Sequence, residues 1–470
     1  MTTIPVVVKH SGQKYNVDID TTKTGLDLKL ELQKLTNVVP ERQKVLVKGG
    51  QLKDDVRLSA LGFKPNQTLM MLGSAGDLPT APANVAQEAS SADADSAKVD
   101  PVPAGLVNIG NTCYANATLQ ALRKAPELVE AVQKYQGQNS LTTALGRVYT
   151  NLNSGEEHTP FGFMERLRST FPQFAEMGQM GPKQQDAEEM WTNLMYSLKE
   201  AGVAPAERYF DGQMAVKMSS AETDEPPAES YDTFAKLNCH ISASTNFLKD
   251  GLMAGLKETL EKHNEALGRN AEYTVTKRIS RLPKYLTIQF VRFFWRRDTS
   301  KKSKILRKVT FPLQLDVSDL CTDDLRAKLV PAREEFRKAE DAVEEARRAA
   351  RRAKFQSMET RKEAINDSLS EERRKELHDN IVAKIDPTLA DDEGSNPLGI
   401  YELVAIVTHQ GMSADSGHYQ CFAKHDKEPG QWWRFNDNKV TLVDDAKIEQ
   451  LSGGGESDSA LILLYRTAEY

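Results

Sequence analysis

The chain has 470 residues, of which 39% are hydrophobic and 27% charged, and its formal net charge at pH 7 is −6. This length suits about three domains of a soluble globular protein. No apolar run reaches the roughly 18 residues of a membrane span, and the negative charge gives no reason to expect nucleic-acid binding, so we expect neither a membrane nor a nucleic-acid partner.

The four cysteines are far apart in the sequence and form no CxxC pair. A disulfide framework and a structural zinc site are therefore not expected, and we predict no metal and no cofactor. Residues 1–9 lack the basic and then apolar pattern of a secretory signal. We accordingly expect a protein of the reducing cytosol or nucleus.

Residues 1–73 are predicted to form a small unit of strands and one helix. Two strand-like runs flank Ser11-Gly12 and suggest a hairpin. A leucine-rich stretch at 26–35 is predicted as a capped helix, although the alternation of its leucines suits a strand equally well. Two more strands are expected at 44–48 and 68–72.

This order of elements, together with the sequence of residues 43–55, resembles ubiquitin and implies a β-grasp fold. The C-terminal Gly-Gly that ubiquitin uses for conjugation is missing here, so the resemblance implies a docking module and not a conjugated tag. Leu46, Met70 and Leu72 fall where ubiquitin carries its apolar recognition patch. At alternating strand positions these side chains would equally suit the core, and the sequence leaves that alternative open.

Residues 74–103 are rich in Ala, Ser, Asp and Pro and contain no aromatic residue, which predicts a flexible linker. Residues 104–470 predict one large α+β unit, with helical patterns first and strand-like runs later. The predicted helices are 115–134, 141–153, 161–170 and 186–201, and the predicted strands are 285–291, 401–407 and 460–465.

A stretch at 331–379 interrupts the large unit and is rich in Ala, Arg, Lys and Glu. Its apolar positions recur at steps of three and four, which predicts a charged helical insert. The alanine seam is weak, so a solvated helical excursion is favoured over a coiled-coil dimer, and a partner-binding arm stays open.

The segment from Asn108 to Asn116 places a single thiol, Cys113, where a polar loop meets an apolar helical run. A cysteine at a helix start is close to the positive end of the helix dipole, which favours the reactive thiolate. The alternative is a buried and inert cysteine, which is the usual state of a free thiol. Two asparagines, a glycine and a threonine ahead of the thiol are unusual for a core segment and favour a nucleophile.

A cysteine nucleophile needs a base that accepts its proton and a group that orients this base. The chain has eight histidines. His418 stands in Ser-Gly-His-Tyr, where a flexible loop turns into a strand, whereas the other histidines, His409 among them, lie in surface-like or ordinary contexts. An isolated Gly-His-Tyr would be structural, but paired with the Cys113 segment it predicts a general base.

Five segments resemble, in order, the signature boxes of the ubiquitin-specific proteases. The segment around Cys113 is similar to the cysteine box and the segment around His418 to the histidine box, and three further segments match other boxes. With the ubiquitin-like N-terminus, the resemblance is to the proteasome-associated branch of that family. The five segments are 105–116, 184–190, 281–293, 416–419 and 433–440.

The resemblance implies a papain-like fold with a helical thumb, a palm and β-sheet fingers, and it assigns roles to residues. Cys113 would be the nucleophile and His418 its general base. Asn436 stands at the third position, where the family often has Asp, and the neighbouring Asp437 could orient His418 instead. Asn108 would donate its side-chain amide to the oxyanion, alongside the backbone N–H of Cys113.

The implied activity is that of a ubiquitinyl hydrolase, a cysteine protease acting on ubiquitin and polyubiquitin conjugates. Gln184, Asp186 and Tyr419 are expected along the channel that binds the tail of ubiquitin. Asp186 would accept a hydrogen bond from an arginine of this tail, and the ring of Tyr419 would form a side wall of the channel. Glu188 and Glu189 are further possible acceptors, and for these two residues the alternative is that they cap or decorate a helix start.

The resemblance further implies that the ubiquitin-like domain docks on the 26S proteasome regulatory particle. Loops at 293–307 and 410–417 would then block the channel until docking. Two alternatives stay open: a ubiquitin-binding proteasome scaffold with weak or no catalysis, and a protease for another ubiquitin-like modifier.

Overall fold

The computed structural model divides the chain into two compact units, Met1–Ala97 and Lys98–Tyr470. Most of the predicted linker and the middle of the predicted insert lie outside the part of the chain that the structure describes. The described residues are 3–10, 13–36, 38, 40, 43–47, 50–65, 67–72, 101–178, 181–296, 301–353, 370–413, 416–455 and 458–470.

The first unit is a five-stranded mixed sheet with one helix, which confirms the predicted β-grasp fold. The strands follow the order β2-β1-β5-β3-β4, with β1 and β5 parallel and the other neighbours antiparallel. The elements are β1 (Thr3–His10), β2 (Gln13–Asp20), α1 (Gly25–Thr36), β3 (Lys44–Val47), β4 (Gly50–Gln51), a 3₁₀ turn (Leu58–Leu61) and β5 (Gln67–Leu72).

The leucine-rich stretch that suited either a helix or a strand is helix α1. Thr24 and Asp27 cap its start, because the Asp27 carboxylate accepts the Thr24 backbone N–H at 2.9 Å. Leu28 and Leu32, four residues apart, are buried in the core of the unit, whereas Leu30 on the other face is exposed. Burial at a spacing of four residues therefore decides for the helix.

The second unit begins with a group of helices that pack on one face of a large sheet. Its hydrophobic core includes Tyr114, Leu119, Tyr149, Trp191 and Phe210. The elements are α2 (Cys113–Leu122), α3 (Pro126–Gln133), α4 (Ser140–Leu152), α5 (Phe161–Thr170), a small hairpin of β6 (Met177–Gly178) and β7 (Gly181–Pro182), α6 (Ala187–Glu200) and α7 (Ala204–Arg208).

The strands of the second unit form two main sheets, which supply the predicted palm and fingers. The eight-stranded palm sheet has the order β10-β13-β21-β17-β18-β19-β20 with β16 beside β17, and the four-stranded finger sheet has the order β11-β12-β8-β9. The elements are β8 (Gly212–Ser219), β9 (Ala228–Phe234), β10 (Leu237–His240), α8 (Leu248–Gly255), β11 (Lys257–Asn264), β12 (Arg269–Arg281), β13 (Tyr285–Val291), β14 (Phe293–Arg296), β15 (Lys301–Lys304), β16 (Gln314–Asp316), α9 (Asp323–Ala353), α10 (Glu371–Val382), α11 (Pro387–Ala390), β17 (Ile400–Ser413), β18 (Ser416–Lys424), β19 (Gln431–Asn436), β20 (Lys439–Asp444), α12 (Asp445–Glu449) and β21 (Ser459–Thr467).

Helix α2 is the element that connects the helical part to the palm. All ten of its residues are buried, and it packs against α6 on one side and against β17 and β18 on the other. Its polar residues Asn116, Thr118 and Gln120 are hydrogen-bonded inside the molecule, so the whole helix can be buried. Because α2 is held on both sides, the orientation of its first turn, which contains Cys113, is also fixed.

The prediction of one continuous helix at 115–134 is wrong, because the structure has two helices there. Helix α2 ends at Leu122 and α3 starts at Pro126, which occupies its first turn. Proline lacks the backbone N–H and clashes with the preceding turn, so it can begin a helix but not continue one.

The charged insert is longer and better anchored than the predicted excursion. Its first helix, α9, begins at Asp323 and continues through Pro331. Phe336 is buried in a small cluster with Ile381 of α10 and Leu398. The ends of the insert therefore pack on the large unit, while residues 354–369 lie outside the described part.

Among the described helices, none is long and apolar enough to cross a membrane. The longest, α9, spans Asp323–Ala353 and has a strongly charged sequence.

Candidate active site

The loop before α2 positions Cys113 in the first turn of that helix. Asn108 Oδ1 accepts the backbone N–H groups of Gly110 and Thr112 at 3.0 and 3.3 Å. Gly110 and Asn111 have positive φ angles of 103° and 52°, a conformation that glycine and asparagine adopt most readily. The polar residues ahead of the thiol therefore form a turn that presents Cys113 at a helix N-terminus.

Burial keeps Cys113 as a protonated thiol in this conformation. The residue is 2% exposed, and burial raises the pKa of its thiol to about 11. The backbone N–H of Tyr419 bonds to the sulfur and lowers the pKa, whereas the carboxylate of Asp437 raises it further. The thiol therefore needs a base or a change of surroundings before it becomes a nucleophile.

His418 lies on β18 directly before Tyr419, the residue whose backbone contacts the Cys113 sulfur. Its Nε2 is 2.6 Å from Oδ1 of Asn436 on the neighbouring strand β19. An amide oxygen can only accept a hydrogen bond, so the imidazole proton is on Nε2 and the lone pair is on Nδ1. The structure thus brings the predicted nucleophile, base and third residue to one place.

Asp437 is held by the helix and loop of Cys113. Its two carboxylate oxygens accept the side-chain amides of Asn108 at 3.1 Å and Asn116 at 2.8 Å. Its backbone has a positive φ of 54°, and its carboxylate is 4.0 Å from His418 Nε2. Of the two residues that could orient His418, Asn436 is therefore the one in hydrogen-bond contact.

Asn116 is a site residue that the sequence reasoning missed. It is buried in α2, and its amide also donates to the Leu106 carbonyl at 3.2 Å. The signal was its position three residues after Cys113, which places both side chains near the start of the same helix. Asn116 thereby links the nucleophile helix to Asp437, which follows β19.

The structure places Tyr419 differently from the predicted wall of the channel. Its ring is completely buried in the core and packs edge-on against His409, with ring centroids 4.7 Å apart. Successive side chains of a strand point to opposite faces, so His418 and Tyr419 cannot both face the cleft. The contribution of Tyr419 at the site is its backbone N–H.

Asp186 and Gln184 lie at the entrance to α6. The capping alternative was considered for Glu188 and Glu189, but the residue that caps α6 is Asp186, which accepts the Glu188 backbone N–H at 3.0 Å. Glu188 in turn forms an ion pair with Lys236. The side-chain nitrogen of Gln184 is buried and has no acceptor among the described residues. One carboxylate oxygen of Asp186 is therefore used by the helix, and Asp186 alone does not form the predicted binding site for an arginine.

Both candidate gating loops are tied to the palm beneath them. The first contains the hairpin of β14 and β15, in which Phe293 pairs with Lys304. Lys304 is buried and donates to the carbonyl of His409, on β17 at the base of the second loop. Residues 297–300 and 414–415, at the tips of these loops, lie outside the described part.

His409 was predicted to lie in an ordinary or surface-like context, and this is wrong. It is completely buried between the rings of Phe293 and Tyr419. Burial lowers the pKa of its imidazole to about 3, with the charge of Lys304 acting in the same direction. The sequence spacing could not reveal this position, because it depends on which strands become neighbours.

Arg292 is a second buried residue beneath the loops. It is completely buried and donates to the carbonyls of Ala460, Ile305, Arg307 and Ser452, at distances between 2.8 and 3.1 Å. Desolvation lowers the pKa of its guanidinium to about 10. Arg292 therefore joins the exit of the first loop to the palm.

The candidate docking patch of the first unit is partly described. Leu46 and Met70 are directly paired across β3 and β5 and are 45% and 53% exposed, whereas Val45, Leu69 and Met71 are buried. For Leu46 and Met70 the core alternative is therefore excluded. The side chain of Leu72 lies outside the described part of the structure.

Across the described residues, no three His, Cys, Asp or Glu side chains converge in a way that could hold a metal ion. All four cysteines are buried and free of disulfides.

Comparison with protein families gives two matches. Residues 104–465 match the family "Ubiquitin carboxyl-terminal hydrolase", and residues 6–76 match the "Ubiquitin family". The first match covers more than half of the chain, and it contains Cys113, His418 and Asn436.

Similar proteins cover nearly the whole chain. The chain is 45% identical to "Ubiquitin carboxyl-terminal hydrolase 6" of Schizosaccharomyces pombe, over 99% of each chain. It is 35% identical to "Ubiquitin carboxyl-terminal hydrolase 14" of Caenorhabditis elegans, over 98% of this chain and 93% of that one.

A solved structure shares the fold. It is "Structure of the SAGA Ubp8/Sgf11/Sus1/Sgf73 DUB module bound to ubiquitin aldehyde", with a TM-score of 0.51 and 17% identity, over 78% of this chain and 70% of that one. The chain therefore belongs to the ubiquitin carboxyl-terminal hydrolase family, within its ubiquitin-specific proteases, and is a cysteine-protease deubiquitinase with an N-terminal ubiquitin-like domain.

Proposed function

We propose that this deubiquitinase hydrolyses the isopeptide bond after the C-terminal glycine of ubiquitin on proteasome-bound conjugates, and that docking raises its activity. The contact between His418 Nε2 and Asn436 Oδ1 at 2.6 Å carries the catalytic part of the proposal. This contact leaves Nδ1 as the base for the Cys113 thiol, whose sulfur touches the neighbouring Tyr419 backbone.

The reaction follows from these roles. His418 takes the thiol proton of Cys113, and the thiolate attacks the carbonyl carbon of the glycine. The imidazolium then gives its proton to the leaving lysine amine, and a thioester to Cys113 remains. Water, deprotonated by His418, attacks the thioester and releases ubiquitin with a free carboxylate, which regenerates the thiol.

The oxyanion of the tetrahedral intermediate requires donors that are already oriented. One N–H of the Asn108 amide is used by Asp437, and the second is available to the oxyanion together with the backbone N–H of Cys113. The three hydrogen bonds that Asn108 Oδ1 accepts from Gly110 and from the backbone and hydroxyl of Thr112 fix the direction of this amide. Removal of one such donor typically slows turnover by about 100-fold or more.

The resting state described here supports a requirement for activation. The thiol of Cys113 is buried and has a pKa of about 11, and both gating loops are tied to buried groups below them. The exposed pair of Leu46 and Met70 supports docking through the first unit. We further propose that the protein works where proteasomes do, in the cytosol and nucleus.

Ubiquitin with a thiol-reactive C-terminus tests this function. The probe should label wild-type protein, faster with 26S proteasomes than without, and should not label a Cys113→Ser variant. Labelling that occurs only at Cys113 with the ubiquitin probe, and not with a probe built on another modifier, supports the assigned substrate. Absence of any adduct with proteasomes present would favour the scaffold alternative.

A further inference from the structure

Helix α2 has a cavity at the end opposite to Cys113. The cavity has a volume of about 560 Å³ and lies where α2 ends, beside the start of α3 and the ends of β18 and β19. Ten helical residues separate the two ends by roughly 15 Å, so this cavity is distinct from the candidate active site. Its volume is in the range of small-ligand sites.

The lining of the cavity is strongly cationic. It contains five cationic side chains, Arg123, Lys124, Lys424, Lys427 and Arg466, but one carboxylate, Asp426. We name this site the basic cavity. Glu402 and Glu469, outside the lining, pair with two of these cations, but the cations still outnumber the carboxylates around the cavity, which favours an anionic ligand.

The existing ion pairs leave Arg123 without a carboxylate. Lys124 pairs with Asp426, Lys424 pairs with Glu402, and Arg466 pairs with Glu469. The guanidinium of Arg123 forms a hydrogen bond to Gln120 Oε1 at 3.0 Å and makes no ion pair with a carboxylate in the described part of the chain.

A second guanidinium is also incompletely satisfied. The Nε of Arg466 is buried and has no acceptor among the described residues. A desolvated donor without a partner costs free energy, so the buried Nε of Arg466 is unfavourable for stability alone. An anion in the basic cavity would compensate for this cost.

The desolvation of two cationic side chains supports the same conclusion. Desolvation lowers the pKa values of both Arg123 and Lys124, since the charged forms of these groups have lost much of their water. Asp426, the carboxylate that acts on both groups, offsets part of this cost but not all of it. A bound anion would reverse these shifts.

The remaining walls of the basic cavity are formed partly by aromatic and proline side chains. Trp433 and Phe435 of β19 line the cavity together with Pro101 and Pro103. The ring of His425 packs on Trp433, with centroids 5.1 Å apart. These apolar groups suit the carbon-containing part of a ligand beside its charged group.

Backbone contacts hold His425 in place in this wall. Its Nδ1 accepts the backbone N–H groups of Lys427 and Glu428 at 3.1 and 3.0 Å. The remaining proton of the neutral ring is therefore on Nε2.

We propose that the basic cavity binds a phosphate monoester or polyphosphate group. Guanidinium groups match the oxygens of phosphate in pairs, and a phosphate group carries a charge near −2 that a single carboxylate lacks. The ligand is either a small soluble phosphate compound or a phosphorylated side chain of a partner protein. Both sources present the same group to Arg123.

Calorimetric titration of the full-length protein tests the proposal with two probes at fixed ionic strength. The probes are inorganic tripolyphosphate and a phosphoserine peptide, with the unphosphorylated peptide as a blank. The variants are Arg123→Gln and Lys427→Gln, of which Lys427 has an exposed side chain. Arg147→Gln, which removes an exposed arginine from α4, is the matched control.

At least one phosphate probe should bind the wild type and Arg147→Gln with equal affinity. Its affinity should fall at least about tenfold in Arg123→Gln and severalfold in Lys427→Gln. Tripolyphosphate binding identifies a soluble source, and phosphopeptide binding alone identifies a partner side chain. The proposal is overturned if neither probe binds, or if the two cavity variants bind as the control does.

Discussion

At the scale of single residues, the chemistry depends on how the His418 imidazole is held. The contact with Asn436 supplies orientation without a negative charge, because an amide oxygen is neutral. Asp437 carries the charge, but both of its oxygens are occupied by Asn108 and Asn116. In this site the orienting group and the charged group are therefore two different residues.

Substitution of Asn436 tests this division of roles. An Asn436→Ala variant should lose about 10- to 100-fold in kcat/KM for a ubiquitin–fluorophore substrate, since the imidazole is no longer aligned. An Asn436→Asp variant should retain activity and shift the low-pH limb of its kcat/KM profile to higher pH, because a carboxylate stabilises the protonated imidazole.

Asn438→Ala is the control for these variants, because its amide bonds to Glu157 and not to the site. Its kcat/KM should stay within about twofold of the wild type. If Asn436→Ala were as active as this control, Asp437 would be the orienting residue.

The pKa of Cys113 gives a second prediction at this scale. With a thiol pKa of about 11, the free enzyme has little thiolate at pH 8, and the thiolate fraction grows about tenfold for each pH unit up to that value. The rate of Cys113 alkylation by iodoacetamide, followed by mass spectrometry, should therefore still be rising between pH 8 and 10. A rate that is constant above pH 7 would instead indicate a preformed thiolate–imidazolium pair.

At the scale of elements, the sequence predicted single helices and strands better than it predicted which of them would contact each other. The Cys113 turn, α5 and β13 follow from local signals such as capping, periodicity and apolar runs. The break between α2 and α3 also has a local signal in the sequence, because Pro126 can begin a helix but not continue one. By contrast, the burial of His409 and Arg292 depends on contacts between distant strands, which no local pattern contains.

Within the site, Tyr419 and His418 show what could and could not be predicted from the sequence. A strand alternates its faces, so the choice of His418 for the cleft already implied that Tyr419 points into the core. The pairing of β18 with β19, which brings Asn436 to His418, is a contact between strands that sequence spacing alone does not give.

Arg292 connects four segments around the gating loops, and its removal should weaken all of them. An Arg292→Met variant loses four hydrogen bonds to carbonyls, of which that of Ser452 keeps the backbone N–H of Val309 as a donor. We therefore expect its free energy of unfolding to fall by about 2–4 kcal/mol. Urea denaturation measures this change. The control Arg326→Met removes an exposed arginine, whose ion pair with Asp319 at 3.8 Å should contribute at most about 0.5 kcal/mol.

Equal stability of the Arg292 and Arg326 variants would show that water replaces the guanidinium without cost. A loss of stability with unchanged ubiquitin cleavage would mean that the gating loops do not depend on this anchor.

At the scale of the whole molecule, the chain combines two units that each have a separate hydrophobic core. The site residues Cys113, His418 and Asn436 all belong to the second unit. The exposed pair of Leu46 and Met70 belongs to the first. Substitutions in the pair should therefore change docking without changing the chemistry.

A full-length double variant, Leu46→Asp with Met70→Asp, tests this separation. The two side chains are neighbours across β3 and β5, and charged replacements should remove an apolar contact that is worth about 2 kcal/mol or more at the centre of an interface. We expect at least a tenfold weaker stimulation of ubiquitin cleavage by proteasomes and an unchanged rate without them. Leu30→Asp on α1 is the matched control, because Leu30 is 44% exposed on a different face of the same unit. If Leu30→Asp lost stimulation and the double variant kept it, the docking surface would be the helix face and not the sheet.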